Sequence, residues 1–209
     1  MQKTLLKIYD ELYKEYGPQD WWPGDTSWEI ATGAILTQNT NWKNVEKAIK
    51  ALKAEKMLFP QAILMASQNK IAELIKPSGY FNVKSLRLKF LAEWWIENAS
   101  KISENILTMK EARKSILTVN GVGPETADSI LLYSFNMPTF VIDAYTRRIF
   151  SDKRTFTSLL IKKTSEMTYD DWRSIFMNNL PHDAKLYNEY HALIVCCAKK
   201  TKKRPSTAN

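Results

Sequence analysis

The chain has few of the residues that form disulfides or metal clusters. Only two of its 209 residues are cysteines, and these are adjacent at Cys196 and Cys197. An ordinary disulfide between neighbouring residues is geometrically awkward. Neither cysteine belongs to a Cys-x-x-Cys pair, and four thiolates for an iron–sulfur cluster are not available. We therefore interpret both as small apolar residues of a carboxy-terminal helix and expect no required cofactor.

Long apolar runs are also absent. No stretch approaches the roughly 20 residues that a membrane span needs, and the amino-terminal residues 1–17 are amphipathic and charged. A secretory signal has an uninterrupted apolar segment instead. We expect a cytoplasmic protein that associates with the nucleoid of a bacterium or archaeon, or a nuclear one in a eukaryote, with no membrane partner.

Positive charge is in excess, with 30 Lys and Arg against 22 Asp and Glu, a net charge of +8. Such a balance favours a polyanionic partner, either nucleic acid or an acidic membrane surface. Five basic residues lie within the six positions 199–204. Most such runs are simply solvated, and contact with phosphates is the alternative.

Strand-like alternation is nearly missing, whereas apolar residues recur at helical spacing from end to end. We predict an all-α chain of about a dozen helices. Two helix starts are marked by capping boxes, in which a Thr precedes an acidic residue by three positions. These are Thr26 with Glu29 and Thr108 with Glu111, and Thr168 with Asp171 predicts the start of a further helix. The spacing further predicts helices over 27–36, 83–98, 124–134, 144–150 and 184–198.

A tight turn joins two predicted helices at residues 121–130, GVGPETADSI. Gly121 and Gly123 allow the backbone to turn sharply and leave its N–H groups uncovered by any Cβ atom. Pro124 fits the first helical position, where a missing N–H costs nothing. Free amides at the positive end of a helix dipole form an anion site, and we predict that the anion is a phosphate.

The same residues carry a family resemblance. Residues 117–127, LTVNGVGPETA, followed by residues 141–148, VIDAYTRR, resemble the helix-hairpin-helix and aspartate signature of DNA glycosylases in the endonuclease III superfamily. Asp143 lies 20 residues beyond Gly123, as that signature requires. The segments 35–40 (ILTQNT) and 79–84 (GYFNVK) also resemble family segments.

The resemblance implies a fold of two helical lobes with DNA in the cleft between them. We expect one lobe over residues 26–136 and the other over residues 1–25 together with 137–209. No cysteines stand where the family usually has its cluster ligands after His191, so the resemblance implies a chain without the iron–sulfur loop. The implied partner is damaged double-stranded DNA, bound by a monomer.

The resemblance also assigns roles in DNA binding. To reach a glycosidic bond in a duplex, an enzyme rotates the nucleotide out of the stack, which costs roughly a few kcal/mol. Gln38 resembles the wedge residue that fills the resulting gap, with Tyr80 or Phe81 inserted from the other side; for Gln38, a polar helix end is the alternative. The implied phosphate contacts are at Gly121, Gly123 and Thr126, and the carbonyls implied to hold a monovalent cation are those of Leu117, Val119 and Val122.

Asp143 is the implied catalytic acid group. At the start of a helix its carboxylate is held ionised by the helix dipole and nearby amides. It is then able to stabilise an oxocarbenium-like sugar and to orient or deprotonate a water molecule. A plain N-cap role is compatible with this function.

Glu125 departs from the pattern of those family members that also cut the DNA strand. They carry a lysine four residues past the first hairpin glycine, which forms a Schiff base with the sugar. A carboxylate cannot condense with an aldehyde. We therefore predict a monofunctional glycosylase that uses water and leaves an abasic site.

The aromatic residues suggest a substrate. Trp21, Trp22, Pro23 and Trp42, together with the QNT segment, are similar to 3-methyladenine DNA glycosylases of the endonuclease III class. An alkylated purine is cationic and attracts aromatic rings by up to about 2 kcal/mol. Core packing is the alternative role for the two tryptophans at 21 and 22. Leu193 stands where those enzymes carry a modified lysine.

Two other functions remain open from the sequence. One is an endonuclease III or 8-oxoguanine type of glycosylase in which some other amine acts as a lyase. The other is a non-catalytic helix-hairpin-helix protein that recognises distorted duplex DNA. The second alternative offers no reason for an aspartate at the spacing of Asp143.

Overall fold

The computed structural model describes residues 1–151 and 166–201, and every regular element in these ranges is a helix. The predicted all-α class is therefore confirmed. Residues 202–204 of the basic run lie outside the described residues. The chain divides into two compact units, Pro23–Met137 and the combination of Met1–Trp22 with Pro138–Asn209. None of the described helices is both long and apolar enough to cross a membrane.

The unit Pro23–Met137 is built from seven α-helices and one short 3-10 helix among the described residues. They are α2 (Ser27–Leu36), α3 (Trp42–Ala54), α4 (Pro60–Met65), α5 (Gln68–Ile75), the 3-10 helix Lys76–Ser78, α6 (Phe81–Ser103), α7 (Met109–Ile116) and α8 (Pro124–Phe135). Helices α2 and α8 are buried along most of their length and pack against each other. Small residues of α2 such as Ala31 and Gly33 allow this approach.

The capping signals of this unit form in different ways. At α7, the Thr108 hydroxyl accepts the Glu111 N–H while the Glu111 carboxylate accepts the Thr108 N–H, so the predicted box is complete. At α2, the Thr26 hydroxyl accepts the Glu29 N–H at 3.1 Å. The Glu29 carboxylate, however, accepts from the Asp25 N–H and pairs with Lys53 at 2.7 Å. The prediction of a complete box at Thr26 was wrong, because a lysine of α3 reaches the same carboxylate.

Helix α6 is longer than the sequence predicted, since it begins at Phe81 and ends at Ser103. Left-handed backbone at Gly79 (φ 69°) and Tyr80 (φ 46°) completes the turn after the 3-10 helix, so regular helix starts immediately afterwards. The polar residues near Asn98 do not end the helix. The last turn is retained because Ile102 is buried in the core of the unit.

The other unit contains four described α-helices. They are α1 (Gln2–Tyr16), α9 (Ala144–Ser151), α10 (Tyr169–Met177) and α11 (Ala184–Thr201). The helix predicted to start at Thr168 is present, and Thr168 forms a capping box with Asp171 at the start of α10. Helix α11 packs against both α1 and α9.

An aromatic core holds this unit together. The rings of Phe140 and Phe176 stack with centroids 4.0 Å apart, and Tyr190 of α11 meets both at its edge. The Tyr190 hydroxyl donates to the Leu5 carbonyl at 2.8 Å, which ties α1 to α11. Burial of large aromatic side chains contributes roughly 2–3 kcal/mol each. The segment between Phe140 and α9, which contains Asp143, is fixed at its amino-terminal end by this core.

Candidate functional site

The turn between α7 and α8 exposes backbone amides at a helix start. Gly121 has φ 87°, and Gly123 is the N-cap of α8 with φ −87° and no side-chain cap. Within the described residues, the N–H groups of Gly121 and Gly123 donate to no protein acceptor. The predicted turn and helix start are therefore present, and the geometry is that of an anion site. Phosphate contact here stays a prediction.

A buried ion pair joins the two helices that flank this turn. Arg113 of α7 donates from Nε and Nη2 to the two carboxylate oxygens of Asp128 in α8, at 2.9 and 3.1 Å. The Asp128 side chain is fully buried and that of Arg113 nearly so. A bidentate pair of this kind fixes the orientation of one helix against the other. It thereby sets the direction in which the amides of the turn point.

Gln38 lies against the hairpin. Its Nε2 donates to the Gly121 carbonyl and to the Thr126 hydroxyl, both at 3.0 Å, and its Oε1 accepts from Arg87. The predicted wedge side chain is therefore half-buried and fully engaged in this conformation. Insertion into DNA stays a prediction, and it requires these three hydrogen bonds to be exchanged for others.

Lys84 connects the segments that carry Gln38 and Tyr80. Its Nζ donates to the carbonyls of Leu36 and Ser78, each at 2.8 Å, and the side chain is completely buried. Burial, with a further contribution from the Arg87 charge, lowers the pKa of Lys84 to about 8. The ammonium satisfies a carbonyl at the end of α2 that would otherwise lack a partner.

Tyr80 and Phe81 lie in different environments. Tyr80 precedes α6 with its side chain 70% exposed, whereas Phe81 packs against the core of its unit. Lys76 Nζ lies 6.0 Å from the centre of the Phe81 ring. Insertion of either residue into DNA stays a prediction, and Phe81 would have to leave its packing to insert.

The carbonyls of the predicted cation site lie at the same turn. Leu117 is the C-cap of α7, and the Val119 carbonyl accepts the Val122 N–H at 3.0 Å. Each carbonyl oxygen has two lone pairs, so this bond leaves room for a further ligand. Cation binding by Leu117, Val119 and Val122 stays a prediction.

Two of the four predicted base-pocket residues line one cavity. Pro23 and Trp42 lie in the wall of a cavity of about 290 Å³ in the unit Pro23–Met137. Its charged wall residues are Asp25, Glu29, Glu46, Lys50 and Lys53. Trp42 also begins α3 and packs partly against the core.

The other two predicted pocket residues, Trp21 and Trp22, belong to the second unit. Their rings meet edge to face with centroids 5.5 Å apart. Lys199 of α11 places its ammonium 5.7 Å from the centre of the Trp21 ring and 6.0 Å from that of Tyr145. The Trp21 ring thus already has a cation beside it.

Asp143 caps α9, as predicted. Its Oδ1 accepts the Thr146 N–H at 2.7 Å, and its Oδ2 lies 3.5 Å from Nε2 of His191 in α11. The Asp143 side chain is 15% exposed. Burial raises the pKa of this carboxyl, but the His191 imidazole and the Thr146 N–H lower it more, so the pKa of Asp143 lies below its ordinary value. The carboxylate is therefore ionised at neutral pH.

Glu125 lies exposed in the first turn of α8, where a negative charge interacts favourably with the helix dipole.

The two cysteines carry free thiols, and burial raises the pKa of Cys197. No cluster of three or more His, Cys, Asp or Glu side chains that could hold a metal ion occurs among residues 1–151 and 166–201.

Comparison with known proteins agrees with this geometry. The family model of the HhH-GPD superfamily of base excision DNA repair proteins matches residues 32–172, which include both the hairpin and Asp143. The chain belongs to this superfamily.

Individual relatives support the assignment to the HhH-GPD superfamily. A Methanocaldococcus jannaschii protein named as a candidate DNA repair glycosylase is 46% identical over 201 residues, which cover 95% of this chain and 88% of the relative. The fold is similar to that of a Helicobacter pylori 3-methyladenine DNA glycosylase solved with 1,N6-ethenoadenine, with a TM-score of 0.75 and 24% identity over 96% and 99% of the two chains. A trapped covalent complex of endonuclease III with DNA has the same TM-score at 16% identity, over 99% of this chain and 90% of that one.

Three residues of this HhH-GPD chain were missed by reasoning from the sequence. Arg87 and Lys84 point inward from α6 to the hairpin and to the end of α2, and His191 reaches Asp143 from α11. A charged residue in the apolar face of a helical pattern was the available signal for Lys84. For His191, the signal was a lone imidazole within an otherwise apolar stretch of α11.

Proposed function

We propose that this protein is a monofunctional DNA glycosylase, which hydrolyses the bond between a damaged base and its sugar and acts as a monomer. The observation that carries the proposal is the Asp143 carboxylate, kept ionised by His191 and by the Thr146 N–H at the start of α9. A fixed anion in a largely buried position stabilises positive charge that develops nearby. The name of the Methanocaldococcus jannaschii relative supports the same activity.

The reaction follows from the chemistry of the carboxylate. As the bond between C1′ and the base nitrogen breaks, its electron pair leaves with the base and the sugar becomes an oxocarbenium ion. Asp143 stabilises this cation and orients a water molecule. The water oxygen then bonds to C1′, and its proton passes to the carboxylate and on to solvent. The products are a free base and an abasic site.

Two lysine-related observations favour hydrolysis over a lyase reaction. Glu125 occupies the hairpin position at which strand-cutting members of the superfamily carry the reacting amine. Lys84 has a lowered pKa, which suits a nucleophilic amine, but it is 1% exposed and bonded to two carbonyls. A buried amine with both partners satisfied is not accessible to a sugar.

The proposed substrate is an alkylated purine of the 3-methyladenine type. The cavity lined by Pro23 and Trp42 has three carboxylates against two lysines, and its volume of about 290 Å³ is close to the lower end for small-ligand sites. An excess of negative charge beside an indole ring favours a cationic base. The name of the Helicobacter pylori structural neighbour agrees with this class.

Trp21 is not assigned to binding of the cationic base. The Lys199 ammonium beside its ring repels a second cation, so we assign binding of the cationic base to the Trp42 cavity. Because the cationic base is assigned to the Trp42 cavity, removal of the ammonium in Lys199→Gln is expected to leave the excision of cationic bases relative to neutral ones unchanged. Excision assays with methylated DNA and with ethenoadenine DNA measure this ratio.

The decisive experiment measures the release of free 3-methyladenine from methylated duplex DNA under single-turnover conditions. Wild-type protein is expected to release the base, and Asp143→Asn to bind the same DNA while its rate falls on the order of a hundredfold or more. Glu125→Gln is the matched control and is expected to keep full activity. Equal activity of wild type and Asp143→Asn would refute the catalytic assignment.

Borohydride trapping tests the monofunctional part of the proposal. Wild-type protein is expected to give no covalent adduct with damaged DNA, because hydrolysis forms no imine. Glu125→Lys places an amine at the hairpin position and is expected to yield a trappable adduct. An adduct with the wild-type chain would instead favour the lyase alternative.

A further inference from the structure

The last helix supplies a second residue to the aspartate site. We propose that His191 is a positioning residue for the reaction, which holds the Asp143 carboxylate in one orientation and in its ionised state. The proposal rests on the proposed function of Asp143. It is carried by the distance of 3.5 Å between His191 Nε2 and Asp143 Oδ2, with 5% and 15% of the two side chains exposed.

The carboxylate is held through both of its oxygens. Oδ1 accepts the Thr146 N–H at 2.7 Å, which is the usual bond of an N-cap residue. That bond alone leaves the second oxygen to solvent in most capped helices. Here the imidazole occupies the side of Oδ2, so rotation about the Cβ–Cγ bond would break one contact or the other. The other lone pairs of the two carboxylate oxygens therefore point in a fixed direction.

The imidazole itself is fixed by its helix. The neighbours of His191 in α11 are buried, among them Tyr190, Leu193 and Ile194. Tyr190 is bonded to the Leu5 carbonyl of α1, so this part of α11 cannot shift without disrupting the aromatic core. A polar contact in such a poorly solvated place is electrostatically stronger than the same contact in water. His191 thus offsets the cost of burying the carboxylate.

Other charged and titratable groups on the packed elements are engaged elsewhere. On α9, Arg147 donates to the Met167 carbonyl and Arg148 to the Ala198 carbonyl. The remaining groups lie on α1, α10 and α11. Among them, Tyr9 packs against Tyr190, Tyr16 lies beneath Lys200, Tyr169 accepts the Ile142 N–H, Glu189 accepts the Gln19 N–H, and Lys199 lies beside Trp21. The pKa of Asp143 responds to His191 and Thr146.

A direct test uses the protein without DNA. An NMR titration of the side-chain carboxyl of Asp143 is compared between wild type and His191→Met, which replaces the imidazole with an apolar side chain of similar length. The pKa of Asp143 is expected to rise by about one unit or more in the variant, because burial is no longer offset. An unchanged pKa would overturn the proposal, and this readout does not depend on any enzymatic activity.

The kinetic test measures single-turnover base excision as a function of pH. In His191→Met the acid limb of the rate profile is expected to move to higher pH, and the rate at neutral pH to fall on the order of tenfold or more, with the Kd for DNA unchanged. His191→Asn retains a hydrogen-bond donor and is expected to recover part of the rate. His182→Met, at the other histidine of the chain, is the matched control and is expected to leave the profile unchanged.

The outcomes separate the two proposals. A purely structural role for His191 predicts a lower Tm with the acid limb in its original place, and that result would contradict the positioning role. If His191→Met does not fold, His191→Asn is compared with wild type: a smaller shift of the acid limb in the same direction is expected, and an unchanged acid limb would overturn the proposal. If the wild-type protein excises no base while the pKa of Asp143 rises in the variant, the proposed function fails and the pairing of His191 with Asp143 stands.

Discussion

The hairpin site and the aspartate site use buried charge in opposite ways. At the hairpin, the groups proposed to bind are backbone amides, while Asp128 and Arg113 form a pair between the two flanking helices and Lys84 is buried at the end of α2. At the start of α9, the buried charge is itself the proposed functional group, Asp143. We therefore expect substitution of a buried charge to reduce stability at the hairpin and to reduce reaction rate at the aspartate.

The largest expected effect comes from comparing the same substitution, aspartate to asparagine, made separately at each site. Asp128→Asn leaves Arg113 without its bidentate partner, and breaking a buried pair costs about 3–5 kcal/mol in the free energy of unfolding. Asp143→Asn keeps a good N-cap side chain and is expected to cost far less. Urea denaturation of both variants measures the difference. The contrast between the sites fails if Asp143→Asn proves to be the less stable of the two.

Lys84 is expected to make the stability of the unit Pro23–Met137 depend on pH. Its pKa is about 8 in the folded chain against an ordinary value of 10.5, so the unfolded chain binds more protons between these values. The stability of wild type relative to Lys84→Met should therefore rise as the pH increases from about 8 to 10.5, by at most about 3 kcal/mol. Chemical denaturation at several pH values tests this. A stability difference that falls over that range would show that the charged form is the favoured one.

The two hairpin glycines are expected to differ. Gly121 has φ 87°, and a Cβ atom there would lie 2.3 Å from the Arg87 side chain, whereas Gly123 has φ −87° and open space. Gly121→Ala should cost about 1–2 kcal/mol from the left-handed backbone alone. It should also weaken binding of undamaged duplex DNA, measured by fluorescence anisotropy. The matched variant Gly123→Ala should fold with wild-type stability, and equal losses in both would refute this account of the turn.

The smallest expected effect is the loss of stability when a helix cap is removed, and it should be equal in the two units. Each unit has one complete capping box among the described residues, at Thr108 in one and at Thr168 in the other. Thr108→Ala and Thr168→Ala should each cost about 1 kcal/mol. Thermal unfolding followed by circular dichroism gives both values. A much larger cost at either position would mean that the box supports more than its own helix.

Much of the fold follows from local signals. The bounds of α2 agree with the predicted residues 27–36, and Thr108, Thr168 and Asp143 all cap the helices that they were expected to begin. A cap depends on atoms within three or four residues, so the sequence contains the whole interaction. The end of α6 was missed because burial of Ile102, a tertiary effect, outweighs a polar stretch.

The supporting residues of the site could not be predicted in the same way. The sequence does not distinguish Arg87 and Lys84 from the many other basic residues of this chain. It also does not distinguish His191 from a histidine that is simply packed in the core. Their significance lies in the atoms they meet, the Gln38 amide, the Leu36 carbonyl and the Asp143 carboxylate. Those partners are distant along the chain. The docking of Gln38 on the hairpin likewise depends on the packing of α2 against α8.

The order of residues alone therefore determined the helical class, the sharp turn at Gly121, the start of α9 at Asp143 and the carboxylate at position 125. These features depend on backbone conformation and on contacts within a few residues. Only the tertiary structure decided which buried charges support the turn and which group holds Asp143 ionised. A charge removed from water is tolerated only beside a specific partner, and packing, not proximity along the chain, brings that partner into place.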